Sequence, residues 1–325
     1  METVSSKIYV VTSVTSPLGK AIALGLAITG ATVIMVAPAD SNGEEVEREI
    51  STITQNPHVE LRLADLSNLS SVRNLAEIIN SRYEKIDVLI NNNSIYRKQR
   101  HLTVDGFEEM FAANYLGPFL LTNLLLDRLR ASGQAHILNL TAPTTGQLDF
   151  DDLQNERRFN SIQTFQAARA ASLLFTYELA RRLENSGVSV SAFYPGLVRS
   201  EILKEAPWIN RMLAWLFALT PGRAAKDVTK YILSPELKDS HGKFMRKDAE
   251  IQLSDYFQDR GLQQRLWEIS EELTDARYLA PNYDPTGSMA LYNERDIPEG
   301  LIRPVEDPTV EKNGVVKREQ KTESG

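Results

Sequence analysis

Short apolar runs rich in β-branched residues alternate along the chain with longer stretches whose apolar positions recur at helical spacing. A run at 7–12 leads into a helical pattern at 17–29, a second at 31–36 into one at 43–52, and a third at 59–63 into one at 70–82. Further strands are expected at 87–91, 136–140 and 188–194, with long helical regions at 106–131 and 161–185 between them. A last edge strand at 242–245 and a closing helix at 263–274 complete the pattern. Such alternation is the signature of repeated βαβ units and of a parallel sheet covered on both faces. Seven strands with helical crossovers predict an α/β fold with a doubly wound, seven-stranded parallel sheet. From 287 onward Pro, Glu, Lys and Asn dominate and large apolar residues are few, so one domain at 1–286 and a disordered tail at 287–325 are expected.

Composition narrows the partners. A net charge of −7 argues against nucleic acid or an anionic membrane as the main partner, since either needs a basic surface. The absence of cysteine excludes disulfides, thiolate metal sites and cysteine nucleophiles. The four histidines, His58, His101, His136 and His241, show no ligand spacing, so no metal is expected. The polar start of the chain runs directly into the first strand, with no signal-peptide core and no transmembrane segment. An intracellular, cytoplasmic protein is expected. The most apolar stretch, 208–219, is too short to span a bilayer and contains Arg211. It reads as a pocket lid or core helix, or else as a peripheral membrane contact.

Several local runs occur in a fixed order. Ala64-Asp65-Leu66-Ser67 follows the third strand, Asp87-Val88-Leu89-Ile90-Asn91-Asn92 forms the fourth, and Asn114-Tyr115-Leu116-Gly117-Pro118-Phe119 lies in the next helix. Leu174-Phe175-Thr176-Tyr177-Glu178-Leu179-Ala180-Arg181-Arg182-Leu183 and Tyr194-Pro195-Gly196-Leu197-Val198 come later. In this the chain, from residue 7 to about 274, resembles the short-chain dehydrogenase/reductase family, and within it the retinol dehydrogenase-like group. The resemblance implies a Rossmann-type, nicotinamide-dependent oxidoreductase.

At the working positions the chain departs from that pattern. The family's phosphate loop, TGxxxGxG, corresponds to Thr12-Ser13-Val14-Thr15-Ser16-Pro17-Leu18-Gly19, in which Ser13 and Pro17 stand where glycines are expected and Gly19 is kept. Glycines there permit a tight turn and let a pyrophosphate approach the backbone at a helix N-terminus. Ser16 followed by Pro17 still makes a good helix start. Pro38 falls where the group's arginine would hold the 2′-phosphate of NADP, and Asp40 reads as a turn acid or a ribose acceptor. Asp65, matching the family's adenine contact, Asn91, and the later Pro195 and Gly196 are retained. Asn93 and Ser94 replace an Ala-Gly pair.

The family's tyrosine and lysine, four residues apart on one helix face, fall on Phe165 and Arg169. Phenylalanine has no proton to give, and arginine does not titrate in the useful range. Tyr177 is about three turns farther along, roughly 18 Å at helix rise, and cannot substitute. The serine position falls on Ala142, with Thr141 supplying a hydroxyl only if the register slips by one. Asn114 alone is in place.

Two expectations follow. One is a pseudoenzyme with a regulatory or interaction role, binding no NAD(P)(H) or binding it weakly. The resemblance implies pairing through the long helices beginning near Gly106 and Ser161, as a homodimer or as a heterodimer with an active homologue. The alternative is a divergent NAD(P)(H)-dependent oxidoreductase acting on an apolar small molecule, a lipid-like alcohol or carbonyl of retinoid or steroid type.

Overall fold

Eight strands form one sheet in the order β3-β2-β1-β4-β5-β6-β7-β8. They are β1 (Ile8–Val11), β2 (Thr32–Ala37), β3 (Val59–Leu63), β4 (Val88–Asn91), β5 (Ala135–Leu140), β6 (Val188–Phe193), β7 (Lys243–Arg246) and β8 (Ala249–Glu250). The first seven run parallel, as the sequence predicts, and β8 adds a two-residue antiparallel edge that it did not. The computed structural model describes residues 6–198 and 218–276, which fall in one compact unit. The expected tail and nearly all of the 208–219 segment lie outside the described residues.

The helices are α1 (Pro17–Ala27), α2 (Gly43–Thr54), α3 (Leu69–Arg82), α4 (Glu109–Phe111), α5 (Gly117–Leu124), α6 (Leu126–Ala131), α7 (Ser161–Arg182), α8 (Pro221–Leu233) and α9 (Arg260–Thr274). Their starts follow side-chain chemistry, because a short polar side chain can accept from the unpaired N–H groups of the first turn. Ser16, Asn68, Asn160, Thr220 and Asp259 each do so, and Pro occupies an early position after Ser16 and Thr220. The helix α8 escaped the sequence reading although its Thr220-Pro221 start carries that signal. The expected continuous helix at 106–131 is instead α4, a π-helical turn at Ala112–Leu116, α5 and α6. Gly106, at φ +81°, belongs to the preceding turn.

Side chains alternate across the strands, so each strand feeds two cores. Val10, Ile34, Val36, Leu89, Ile137 and Val190 pack with α3, α5, α7 and α9 on one face. Tyr9, Val11, Val33, Met35, Ile90, Leu138 and Phe193 pack with α1, α2 and α8 on the other. Four buried polar side chains tie the middle of the sheet to the first layer. Asn91 Nδ2 donates to Asn139 Oδ1 at 2.8 Å and to Thr122 Oγ1 at 3.1 Å, and Asn139 Nδ2 donates to Thr176 Oγ1 at 2.9 Å. Gly117 lies so close to the chain after β3 that a Cβ there would sit 1.9 Å from Leu66 O.

Two predictions test this packing. Gly117→Ala forces α5 off the Leu66 carbonyl and is expected to cost about 1–3 kcal/mol in urea unfolding; an unchanged midpoint would show that the approach is not closed in solution. His136 is buried, with Nε2 2.8 Å from Ser191 Oγ, and burial pushes its pKa from the ordinary 6.5 down to about 3. The unfolded chain therefore binds a proton that the folded one refuses between these values. The stability that neutral His136 contributes is present above pH 6.5 and is lost as pH falls toward 3, at up to about 1.4 kcal/mol per pH unit. The stability difference between the natural chain and His136→Gln should shrink over that window, and parallel pH profiles would refute the assignment.

Candidate active site

The turn after β1 keeps its shape without its glycine. Ser13 adopts the left-handed backbone at φ +53°, a conformation that costs a side-chain-bearing residue about 1–2 kcal/mol. Neighbouring contacts hold it there. Ser16 Oγ donates to Ser13 O at 2.7 Å and accepts from Gly19 N, while Asn92 Nδ2 reaches Ser16 Oγ at 3.1 Å. Gly19 has no room for a side chain, since a Cβ would meet Ser13 O at 2.3 Å. Pro17 is exposed at the first position of α1 and offers no N–H.

Side chains expected to crowd the cleft are partly turned away. Asn93 Oδ1 accepts from Thr12 Oγ1 at 2.7 Å, and Asn92 N donates to that same hydroxyl. Pro38 begins a tight turn closed by Ser41 N on Pro38 O at 3.3 Å, which leaves Asp40 exposed as a turn acid. Asp65 is exposed, and its Oδ1 accepts from Ser67 N at 2.8 Å. Asn91 is buried, and its Nδ2 donates to Asn139 Oδ1 and Thr122 Oγ1.

The π-helical turn sets Asn114 against the loop after β4. Asn114 Oδ1 accepts from Ile95 N at 2.7 Å and its Nδ2 donates to Ile95 O at 2.8 Å, so one amide clamps both backbone groups of a single residue. π-turns of this kind gather at functional sites because they re-aim one side chain within a helix. The clamp positions the next residue, Tyr96, which the sequence reading passed over. Its ring meets Phe165 edge-on at 5.5 Å, and its hydroxyl donates to Ser161 Oγ at 2.9 Å.

Phe165 is buried, and the Arg169 guanidinium lies 4.2 Å over its ring. Burial pushes the Arg169 pKa below the ordinary arginine value, and nearby Tyr194 acts in the opposite sense. Among the described residues no carboxylate pairs with Arg169; the ring beneath it is its partner. Thr141 continues the β5–β6 ladder through its N–H to Phe193 O at 3.1 Å, followed by Ala142, which has no hydroxyl. The hydroxyl joined to α7 beside Phe165 is that of Thr144, 3.3 Å from Gln166 O. Tyr194 carries the Arg246 guanidinium 5.3 Å from its ring centre. Pro195 and Gly196 turn the chain after β6, with Gly196 at φ +91°, and Leu219 N donates to Leu197 O at 2.7 Å.

The model of the short chain dehydrogenase family matches residues 7–208. Retinol dehydrogenase 13 of Homo sapiens is 36% identical over 282 residues, covering 83% of this chain and 85% of that protein. The chain belongs to the short-chain dehydrogenase/reductase family, in its retinol dehydrogenase-like group. Polyprenol dehydrogenase of Homo sapiens is 33% identical over 280 residues, covering 82% and 85%. A solved structure of an uncharacterized protein from Mycobacterium Paratuberculosis is 32% identical, covering 84% of this chain and 94% of its own, with a TM-score of 0.68. L-sorbose reductase from Gluconobacter frateurii, solved with NADPH and L-sorbose, shares the fold at 19% identity and a TM-score of 0.58, covering 74% and 94%.

These findings correct the expectation of an absent or weak cofactor: membership in the short-chain dehydrogenase family points to NAD(P)(H) use. The structure supplies the physical reason. Ser13 stands where a glycine's backbone freedom is expected, yet it holds the left-handed conformation, and Gly19 keeps α1 pressed against it. Residues around this turn, with the exposed Asp65, are those that would hold the dinucleotide. Among the described residues no helix is long and apolar enough to cross a membrane, and no cluster of metal-ligating side chains is present.

A strained serine gives a direct test. Ser13→Gly should raise unfolding stability by about 1 kcal/mol and tighten NADPH binding in a fluorescence titration. Lower stability would mean that the Ser13 side chain contributes more than its backbone costs.

Proposed function

We propose that this chain is a short-chain dehydrogenase/reductase that keeps its dinucleotide fold but has lost the family's proton-transfer step, and that its role is regulatory or one of interaction. The observation that carries this reading is the Arg169–Phe165 stack. Reduction of a carbonyl by a bound nicotinamide needs a hydride at carbon and a proton at oxygen. In the family the tyrosine hydroxyl gives that proton and a lysine holds it ready. Here the tyrosine position is a buried ring with no hydroxyl, and the cation four residues on rests on that ring. Ala142 has no hydroxyl with which to polarise the carbonyl. Each such group is worth about 10²–10⁴-fold, so together their loss would bring the hydride transfer close to silence.

A second reading has one specific support. Tyr96 and Ser161 set a hydroxyl pair beside Phe165, where a divergent oxidoreductase acting on an apolar alcohol or carbonyl could find a proton donor. The named relatives are dehydrogenases of retinol and polyprenol, so a long apolar substrate is the class to test.

The deciding experiment follows NADPH consumption with retinaldehyde and a panel of apolar carbonyls, for the natural chain and for the repaired variant Phe165→Tyr, Arg169→Lys, Ala142→Ser. The expected outcome is NADPH binding by both, with turnover at least about 10²-fold faster in the repaired variant. Turnover by the natural chain at the repaired variant's rate would overturn the proposal, and its loss in Tyr96→Phe would establish the second reading.

A further inference from the structure

The turns after β1, β2 and β3 are tied to one another at the carboxyl end of the sheet. Val14 N donates to Val36 O at 3.1 Å, and Ala64 N donates to Ala37 O at 2.8 Å. In a dinucleotide fold this is where the adenosine ribose lies, and the residues just past the second strand decide what its 2′ position carries. An acidic side chain there accepts from a ribose hydroxyl, whereas a nearby arginine accommodates a 2′-phosphate.

Charge at these turns is of one sign. Residues 8–19, 32–47 and 63–72, which supply the three strands' ends and the turns after them, contain no lysine or arginine. Asp40 and Asp65 are exposed in the turns, and Glu44 and Glu45 are exposed in the first turn of α2. The basic residues that border these stretches are engaged, Lys20 with Glu49 and Arg62 with Glu60. Arg48 comes only in the second turn of α2, where it is exposed. The turn after β2 also keeps its donors to itself: Pro38 has no N–H, and both Ser41 N and Ser41 Oγ donate to Pro38 O.

We infer that these turns accept a bare adenosine ribose and disfavour a 2′-phosphate, so that the chain binds NADH in preference to NADPH, with Asp40 as a specificity-determining residue. A phosphate monoester brings up to about two negative charges and only acceptor oxygens, and here it meets carboxylates with no cation between them. A ribose hydroxyl brings a proton to donate, for which an ionised carboxylate is the matching acceptor. The remainder of the dinucleotide is common to both, so NADPH still binds, but less tightly. The inference rests on the reading that the chain keeps its dinucleotide site, and it holds whether or not proton transfer has been lost.

The test titrates the full chain with NADH and with NADPH, following nicotinamide fluorescence at low and at high salt. At low salt NADH is expected to bind at least about tenfold more tightly, as like charges brought together disfavour the wrong ligand. Added salt screens exposed charges, so the ratio should fall. Asp40→Arg, an exchange at an exposed turn, should tighten NADPH by a similar factor. NADPH bound as tightly as NADH, or more so, would overturn the inference and leave the proposed loss of proton transfer standing, since neither titration needs turnover. A preference for NADH that neither salt nor Asp40→Arg moves would also overturn it, because the discrimination would then come from elsewhere. Binding of neither cofactor at millimolar concentration would remove the dinucleotide reading and this inference with it.

Discussion

Asn91 and Asn139 face each other on neighbouring strands with their amides bonded in the core, and the placement of α5 and α7 depends on how those amides are satisfied. Asn91 reaches Thr122 on α5, Asn139 reaches Thr176 on α7, and the two amides bond each other. An unpaired amide buried here would cost on the order of 1–3 kcal/mol, so only a narrow range of helix positions is tolerated. Apolar packing alone would let α5 and α7 slide along the sheet; directional bonds to two threonines do not. Through α5 the network sets the π-helical turn with Asn114, and through α7 it sets Phe165 and Arg169. One oxygen, Asn91 Oδ1, remains without a partner among the described residues.

The same scaffold is compatible with the proposed loss of proton transfer at Phe165 and Arg169. Asn114 still clamps Ile95, and the turn at Ser13 still bends where a glycine would let it bend freely. Phe165 has no hydroxyl and is packed against Tyr96 and Arg169. Arg169 then finds in that ring the partner its charge needs, because a guanidinium is more weakly hydrated than an ammonium and stacks readily on an aromatic face. The pair is self-consistent as a packed element, which supports the proposal that it replaces the tyrosine and lysine.

Much of the architecture was legible along the chain because its causes are local. The strand and helix alternation follows from where apolar residues recur, and the helix starts follow from Ser16, Asn68 and Asn160 meeting unpaired N–H groups. The interruption at 112–116 was not legible, since one extra residue in a helical turn leaves the apolar spacing nearly unchanged. The two-residue β8 is too short to show a period. Among the site residues, the identities at 13, 17, 142, 165 and 169 could be read directly, but their consequences could not. That the Asn91 amide ties β4 to β5 and α5 was not legible from its position, because only the fold shows which way an amide points. Tyr96 carried no motif and became visible through its contacts with Phe165 and Ser161.

The sequence by itself determined the fold class, the family and the identities of Phe165 and Arg169 at the family's tyrosine and lysine positions, for these rest on residue types and their spacing. The tertiary structure decided which of the altered positions still function as geometry. A serine can be held in a left-handed turn when its neighbours bond it there, and no local propensity reveals that support. Likewise the covering of α5 and α7 by α9 joins segments about 90 and 150 residues apart in sequence. Contacts of that range come from the burial of Trp267 against Phe119 and Phe175, a choice made by the whole core rather than by any one stretch of the chain.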